Sequence, residues 1–206
     1  QILRWNKRID HHIEYQQSKN WAPIAGDGEL TNKTLVILGY GGIGSQVAKL
    51  GKAFGMRVTG IRRNPQDDEH ADEVLGLDRF EELLPLTDYL VLSLPDSSQT
   101  RDIINADILE KLSNSAMIIN VGRGTAINEE DLSDALNGEK IAAAALDTTK
   151  VEPLDASSSL WTAKNCFISA HDSAHSLLSL ERAFELFFQN IKNIKNGDQI
   201  VNLYSE

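Results

Sequence analysis

The 206-residue chain has one cysteine, five prolines and no apolar run long enough to cross a bilayer. A lone thiol, Cys166, excludes an intrachain disulfide framework and fits a reducing compartment. Within Cys166-Phe167-Ile168 it reads as a small buried hydrophobe, not a nucleophile. Without a long apolar stretch or a charged-then-apolar leader, neither a membrane span nor a signal peptide is expected, and a cytoplasmic location follows. Positive charge is scarce too: 20 Lys and Arg against 30 Asp and Glu leave a formal net charge of −10. A field of that sign cannot displace the counterions of nucleic acid and repels anionic membranes, so neither is expected as a partner. An anionic ligand must be held by local groups acting against the overall field.

Metal-ligand spacing is also absent. His11 and His12, beside Glu14, have no third ligand at a suitable distance along the chain and read as a solvated helix face. His171-Asp172-Ser173-Ala174-His175 has histidines at i and i+4, but it lacks the glutamate of H-E-x-x-H and falls in a turn, so no metal is expected. There is no internal repeat or low-complexity tract. What remains is an ordinary globular composition, 41% hydrophobic and 24% charged, in a length that suits one large domain or a domain with an appendage. The chain starts at Gln1 without an initiator Met, inside an amphipathic pattern, which suggests a fragment or a processed product.

Ile2, Trp5, Ile9 and Ile13 predict one amphipathic helix over residues 2–18, followed by a connection over 19–30. From Thr34 the pattern alternates. Leu35 to Leu38 is a short apolar strand bounded by Gly39, and Ile43, Val47, Leu50 and Phe54 mark one face of a helix. Further strands are expected at Arg57–Ile61, Val74–Leu75, Tyr89–Leu94, Met117–Ile119, Ile141–Leu146 and Cys166–Ser169. Short helices are expected at Phe80–Leu84 and Ala106–Leu112. Asn128 followed by Asp131 resembles an N-cap with an acidic first turn, opening a helix to about Asn137. The closing helix runs from Leu178 to about Lys195 and ends at Asn196-Gly197. Apolar strands alternating with helices predict an α/β fold, a doubly wound parallel sheet of about six strands of the Rossmann type.

Gly39-Tyr40-Gly41-Gly42-Ile43-Gly44 matches G-x-G-x-x-G between a strand and a helix, with a second strand ending about 20 residues on. Gly39 permits the tight turn, Gly41 lets the backbone approach a pyrophosphate, and Gly44 lets helix and strand pack closely. With Gly42 and Ile43 they open a helix whose free N–H groups and dipole favour a diphosphate. This is a nicotinamide dinucleotide site. An NAD site commonly has Asp or Glu at the end of the second strand, where this chain has Ile61-Arg62-Arg63. A charge-assisted bond from Arg62 or Arg63 contributes roughly 1.5–3 kcal/mol, which favours NADP over NAD. The alternative is that both guanidinium groups face solvent or pair with Asp67 and Asp68.

Four stretches together resemble the D-isomer-specific 2-hydroxyacid dehydrogenases: Gly39 to Gly44; Asp88 to Pro95 with Thr100; Ile119-Asn120-Val121-Gly122-Arg123-Gly124; and Ala145-Leu146-Asp147 through Glu152-Pro153-Leu154 and Leu160-Trp161 to Ser169-Ala170-His171. Glyoxylate and hydroxypyruvate reductases are the nearest subgroup. The resemblance implies that His171 protonates the carbonyl oxygen of a small 2-ketoacid, or takes the proton from the 2-hydroxyacid in reverse. Glu152 would pair with that imidazole and favour its charged form. Arg123 would bind the substrate carboxylate, a planar bidentate task. Asp147 would bond the nicotinamide carboxamide. Leu94, Pro95 and Thr100 would line the cofactor groove, with Val121 and Gly122 at its nicotinamide end. Read without the family, Arg123 and His171 simply follow predicted strands, where open α/β sheets collect ligands.

The chain departs from the family where it has Asp147-Thr148-Thr149-Lys150-Val151-Glu152, since many members have Asp-Val-Phe there. Lys150 would compete for Glu152 unless it is solvated. Gly42 stands where many members carry a larger polar residue, which would loosen the turn. The resemblance further implies an organisation of residues 1–29 as helix and linker, 30–175 as dinucleotide-binding domain, and 176–206 as a helix and tail returning toward a substrate domain largely absent here. Without that domain the chain is expected to bind cofactor and turn over poorly. A homodimer is expected through the N-terminal helix. The rival reading is a dinucleotide-sensing interaction module of the same fold without turnover.

Overall fold

The computed structural model describes residues 1–24 and 28–202. Strand β1 (Thr34–Leu38) is hydrogen-bonded on both sides, to β2 (Arg57–Ile61) and to β4 (Tyr89–Leu92). Beyond β2 lies β3 (Glu73–Leu75). Beyond β4 come β5 (Met117–Asn120), β6 (Ala143–Leu146) and β7 (Cys166–Ile168). The order is β3-β2-β1-β4-β5-β6-β7, every pair parallel. The sheet is therefore doubly wound as expected, and its seven strands fall on the seven segments read as strands, the short one at Val74–Leu75 included.

Successive side chains of a strand point to opposite faces, and the apolar runs feed two cores accordingly. Val36, Leu38, Leu90, Leu92 and Ile118 pack on one face with Leu109 and Leu132. Leu35, Ile37, Val91, Met117 and Ile119 pack on the other with Ala48 and Met56. Leu109 comes from α5 (Ala106–Lys111) and Leu132 from α6 (Glu129–Asn137). Both helices start at a side-chain cap: Asn105 Oδ1 accepts from Ile108 N–H, and Asn128 Oδ1 from Asp131 N–H.

Two helices depart from the sequence reading. Residues 2–18 form α1 (Ile2–Asn6) and α2 (Ile9–Gln17), broken at Arg8, whose φ of 49° is left-handed. The break follows from anchorage. Asn6 is buried and donates to the Tyr89 hydroxyl at 3.1 Å, and Arg4 lies over the Phe167 ring while pairing with Asp10 across the break. Residues six apart do not share a face of a continuous helix. Helix α3 (Gly42–Ala53) turns Gly44, Ala48 and Gly51 to the sheet, whereas Ile43, Leu50 and Phe54 are exposed. A Cβ on Gly51 would lie 2.6 Å from Leu35 Cδ2, so small residues let this helix sit close. Between β3 and β4, helix α4 (Phe80–Leu83) is flanked by single 3₁₀ turns.

The chain divides into two compact units, Gln1–Ala170 and His171–Glu206. The second carries turns and then α7 (Ser179–Asn196), stopped by Gly197 at φ 76°. No helix among the described residues is long and apolar enough to cross a membrane.

Candidate cofactor site at the carboxyl edge of the sheet

All strands being parallel, their carboxyl ends lie on one edge. Chain order reverses direction between β1 and β4, which is where open α/β sheets bind ligands. The glycine turn sits at that point. Gly39 has a φ of 101°, which only glycine adopts without strain, and a Cβ there would meet the Ser93 carbonyl carbon at 2.7 Å. A Cβ on Gly44 would lie 2.8 Å from Gly39 O, and one on Gly122 would lie 2.8 Å from Leu94 N. The ends of β1, β4 and β5 thus converge backbone against backbone. Ser93 Oγ donates to Gly39 O at 2.7 Å and ties two of them together.

Gly41 and Gly42 differ from these: nothing lies within 4 Å of where their Cβ atoms would be. This open space lies at the N-terminus of a 12-residue helix, whose first amides have no intrahelical acceptor. The arrangement fits a diphosphate: Gly41, whose own N–H is bonded to Gly39 O, and Gly42 leave room, and Gly42, Ile43 and Gly44 are the first residues of the helix.

At the end of β5, Asn120 is fully buried. Its Oδ1 accepts from Gly122 N–H and its Nδ2 donates to Arg123 O, both at 3.0 Å, so one amide shapes the Val121–Arg123 turn. Arg123 is exposed, with Nη1 donating to Gly122 O at 2.9 Å. Near it, Asp96 is held below the usual carboxylate range, first by Arg101, then by the Thr125 hydroxyl, with Arg123 adding a smaller share. Leu94 is half-buried and Pro95 exposed. The Thr100 hydroxyl donates to Pro95 O at 2.8 Å and accepts from Ser97 N–H at 3.0 Å, closing the loop after β4.

Asp147, just past β6, is buried and accepts from Ser169 Oγ at 2.6 Å. Glu152 is exposed, and its Oε1 accepts from Thr149 N–H at 3.1 Å. Lys150 faces away from that carboxylate: its Nζ is 3.5 Å from Asp102 Oδ1, and its N–H donates to Glu129 at 2.5 Å. His171 opens the second unit, exposed and at φ 52°. At the other end of the edge, Arg62 is half-buried with its N–H on Leu75 O, and exposed Arg63 reaches Gln99 Oε1 at 3.5 Å. Neither arginine is hydrogen-bonded to Asp67; Arg62 instead helps keep Asp68 ionised, behind larger contributions from His70 N–H and the Tyr40 hydroxyl.

Sequence reasoning passed over Ser93, Asn120 and Ser169 as site-shaping residues. Each is a small polar residue where an apolar strand ends on this edge, and that position is the signal available in the sequence.

Known proteins match this geometry. The family model described as D-isomer specific 2-hydroxyacid dehydrogenase, NAD binding domain, matches residues 1–173. A human glyoxylate reductase/hydroxypyruvate reductase is 37% identical over 176 residues, which cover 82% of this chain and 53% of that protein. A D-isomer specific 2-hydroxyacid dehydrogenase family protein from Aeromonas salmonicida superposes with a TM-score of 0.89 at 33% identity, over 99% of this chain and 65% of that one. An NADPH-dependent glyoxylate/hydroxypyruvate reductase from Sinorhizobium meliloti, in complex with NADP and sulfate, gives 0.87 at 26% identity with the same coverage of 99% and 65%. The chain thus spans between half and two thirds of the length of these relatives.

Proposed function

This chain belongs to the D-isomer specific 2-hydroxyacid dehydrogenase family and holds its NAD-binding domain, and we propose that it serves an enzyme that interconverts a small 2-ketoacid and its 2-hydroxyacid with NADPH in preference to NADH. The observation that carries the cofactor reading is the open space over Gly41 and Gly42 at the switch point of the sheet. The bound nicotinamide supplies or accepts the hydride.

The chain's own residues bind, orient and move a proton. Arg123 binds the substrate carboxylate through its planar fork. His171 would serve as the acid that protonates the carbonyl oxygen, and Glu152 as the carboxylate that favours its charged form. Asp147 would hold the nicotinamide carboxamide, and Leu94, Pro95, Thr100, Val121 and Gly122 would line the groove. Arg62 and Arg63 would meet the 2′-phosphate; the NADP held by the Sinorhizobium relative supports this, as does a second strand followed by arginine instead of an acid. Hydroxypyruvate stands in the names of two similar relatives, from Blautia hydrogenotrophica and human, and glyoxylate in the human one as well.

A second copy of this chain pairs through the N-terminal helices. Helix α2 buries none of its residues and exposes Ile9 and Ile13. A monomer by light scattering at micromolar concentration would remove that assignment. The cytoplasm suits an unpaired thiol.

Titration of the purified chain with NADPH and NADH tests the cofactor reading. NADPH is expected to bind about tenfold tighter or more, and Arg62→Asp to abolish the difference. In a protein that includes the substrate domain, His171→Ala is expected to abolish reduction while sparing cofactor affinity. An unchanged rate would overturn the catalytic assignment.

A further inference from the structure

The buried Tyr40 occupies the second position of the glycine hexad, where its ring lies against the backbone of β2. A Cβ on Gly60 would fall 2.2 Å from the Tyr40 ring, so the missing side chain at 60 is what makes room for it. The hydroxyl beyond that ring donates to Asp68 Oδ1 at 2.9 Å, and His70 N–H donates to the same oxygen at 2.9 Å. The segment from Arg62 to Asp68 is thereby closed at both ends, since Arg62 N–H is on Leu75 O. Tyr40 N–H donates to Ile61 O at 2.8 Å, so the ring that reaches Asp68 stands at the end of β2, where Arg62 follows.

We propose that Asp68 is a specificity-determining residue for the cofactor, a carboxylate fixed by the Tyr40 hydroxyl at the far end of the loop that Arg62 opens, which weakens the grip of the arginine on a 2′-phosphate and so moderates the preference for NADPH. The attraction that Arg62 exerts on an anion is reduced by any negative charge fixed at its side. Asp67 and Glu69 flank Asp68 but are exposed, and charges there are screened by solvent and salt. Asp68 differs in being half-buried and doubly hydrogen-bonded. The inference rests on the NADP reading above, with Arg62 as the phosphate ligand.

The test is a titration of the full chain with NADPH and with NADH, comparing the wild type with Asp68→Asn, Arg62→Ala and the double variant. Asp68→Asn keeps an acceptor for Tyr40 and His70 while dropping the charge. It is expected to tighten NADPH by about three- to tenfold, to leave NADH within about twofold, and to lose the gain in high salt or when Arg62 is absent. Asp68→Ser removes the same charge should Asp68→Asn not fold. If Arg62→Ala lowers the NADPH preference but neither Asp68 variant changes it, the inference falls and the NADP reading stands. If Arg62→Ala changes nothing, both fall.

Discussion

Gly124 lies so close to Thr149 that a Cβ on the glycine would meet the Thr149 carbonyl carbon at 1.9 Å. Backbone faces backbone here, so neither partner can rotate away. The turn that carries Arg123 and the loop that carries Glu152 are seated on each other through this contact. Gly124→Ala is expected to destabilise the protein by about 3 kcal/mol, the upper end of overpacking. Urea unfolding measures this; a loss under about 0.5 kcal/mol would mean that the loop shifts freely.

Asn120 serves the same turn from beneath. Asn120→Ala would leave Gly122 N–H without its partner, while Arg123 O keeps the bond it accepts from Ala126 N–H. The expected loss is about 1–3 kcal/mol in thermal or urea unfolding, because one buried donor goes unpaired. A neutral substitution would show that the turn holds itself.

Ser169→Ala takes a donor from the buried Asp147 carboxylate. Bonds to a charged group contribute about 1.5–3 kcal/mol, and a loss of that order is expected. Ser169→Thr keeps the hydroxyl and should recover much of it, whereas equal losses in both variants would point to packing.

Burial first, and Glu129 to a smaller extent, push the Cys166 thiol up from 9.0 to about 11. The folded state keeps the proton longer than the unfolded chain does. Stability from this group is therefore complete below pH 9.0 and lost as pH rises toward about 11. Alkylation by iodoacetamide should remain slow at pH 8 and accelerate with a midpoint near 11. Fast labelling of the native protein at neutral pH would contradict this.

Much of the frame was legible residue by residue. The continuous apolar runs that became β1, β4 and β5 are visible as composition, and the Asn128 cap and the Gly197 stop rest on contacts between near neighbours in the chain. The face of α3 was misread because Ile43, Leu50 and Phe54 carry the hydrophobicity while Gly44, Ala48 and Gly51 allow the approach. Burial there follows from distance to the sheet, which hydrophobic spacing does not encode.

The order of strand and helix, and the glycine hexad that joins them, belong to the chain alone, because steric limits on φ and alternation of side chains act within a few residues. Which residues shape the site belongs to the folded molecule. Tyr40 meets Asp68 across 28 residues, Ser169 meets Asp147 across 22, and Ser93 meets Gly39 across 54. These pairs exist because the strand order brings separate strand ends to one edge, and a hydrogen bond forms only where distance and direction are both met.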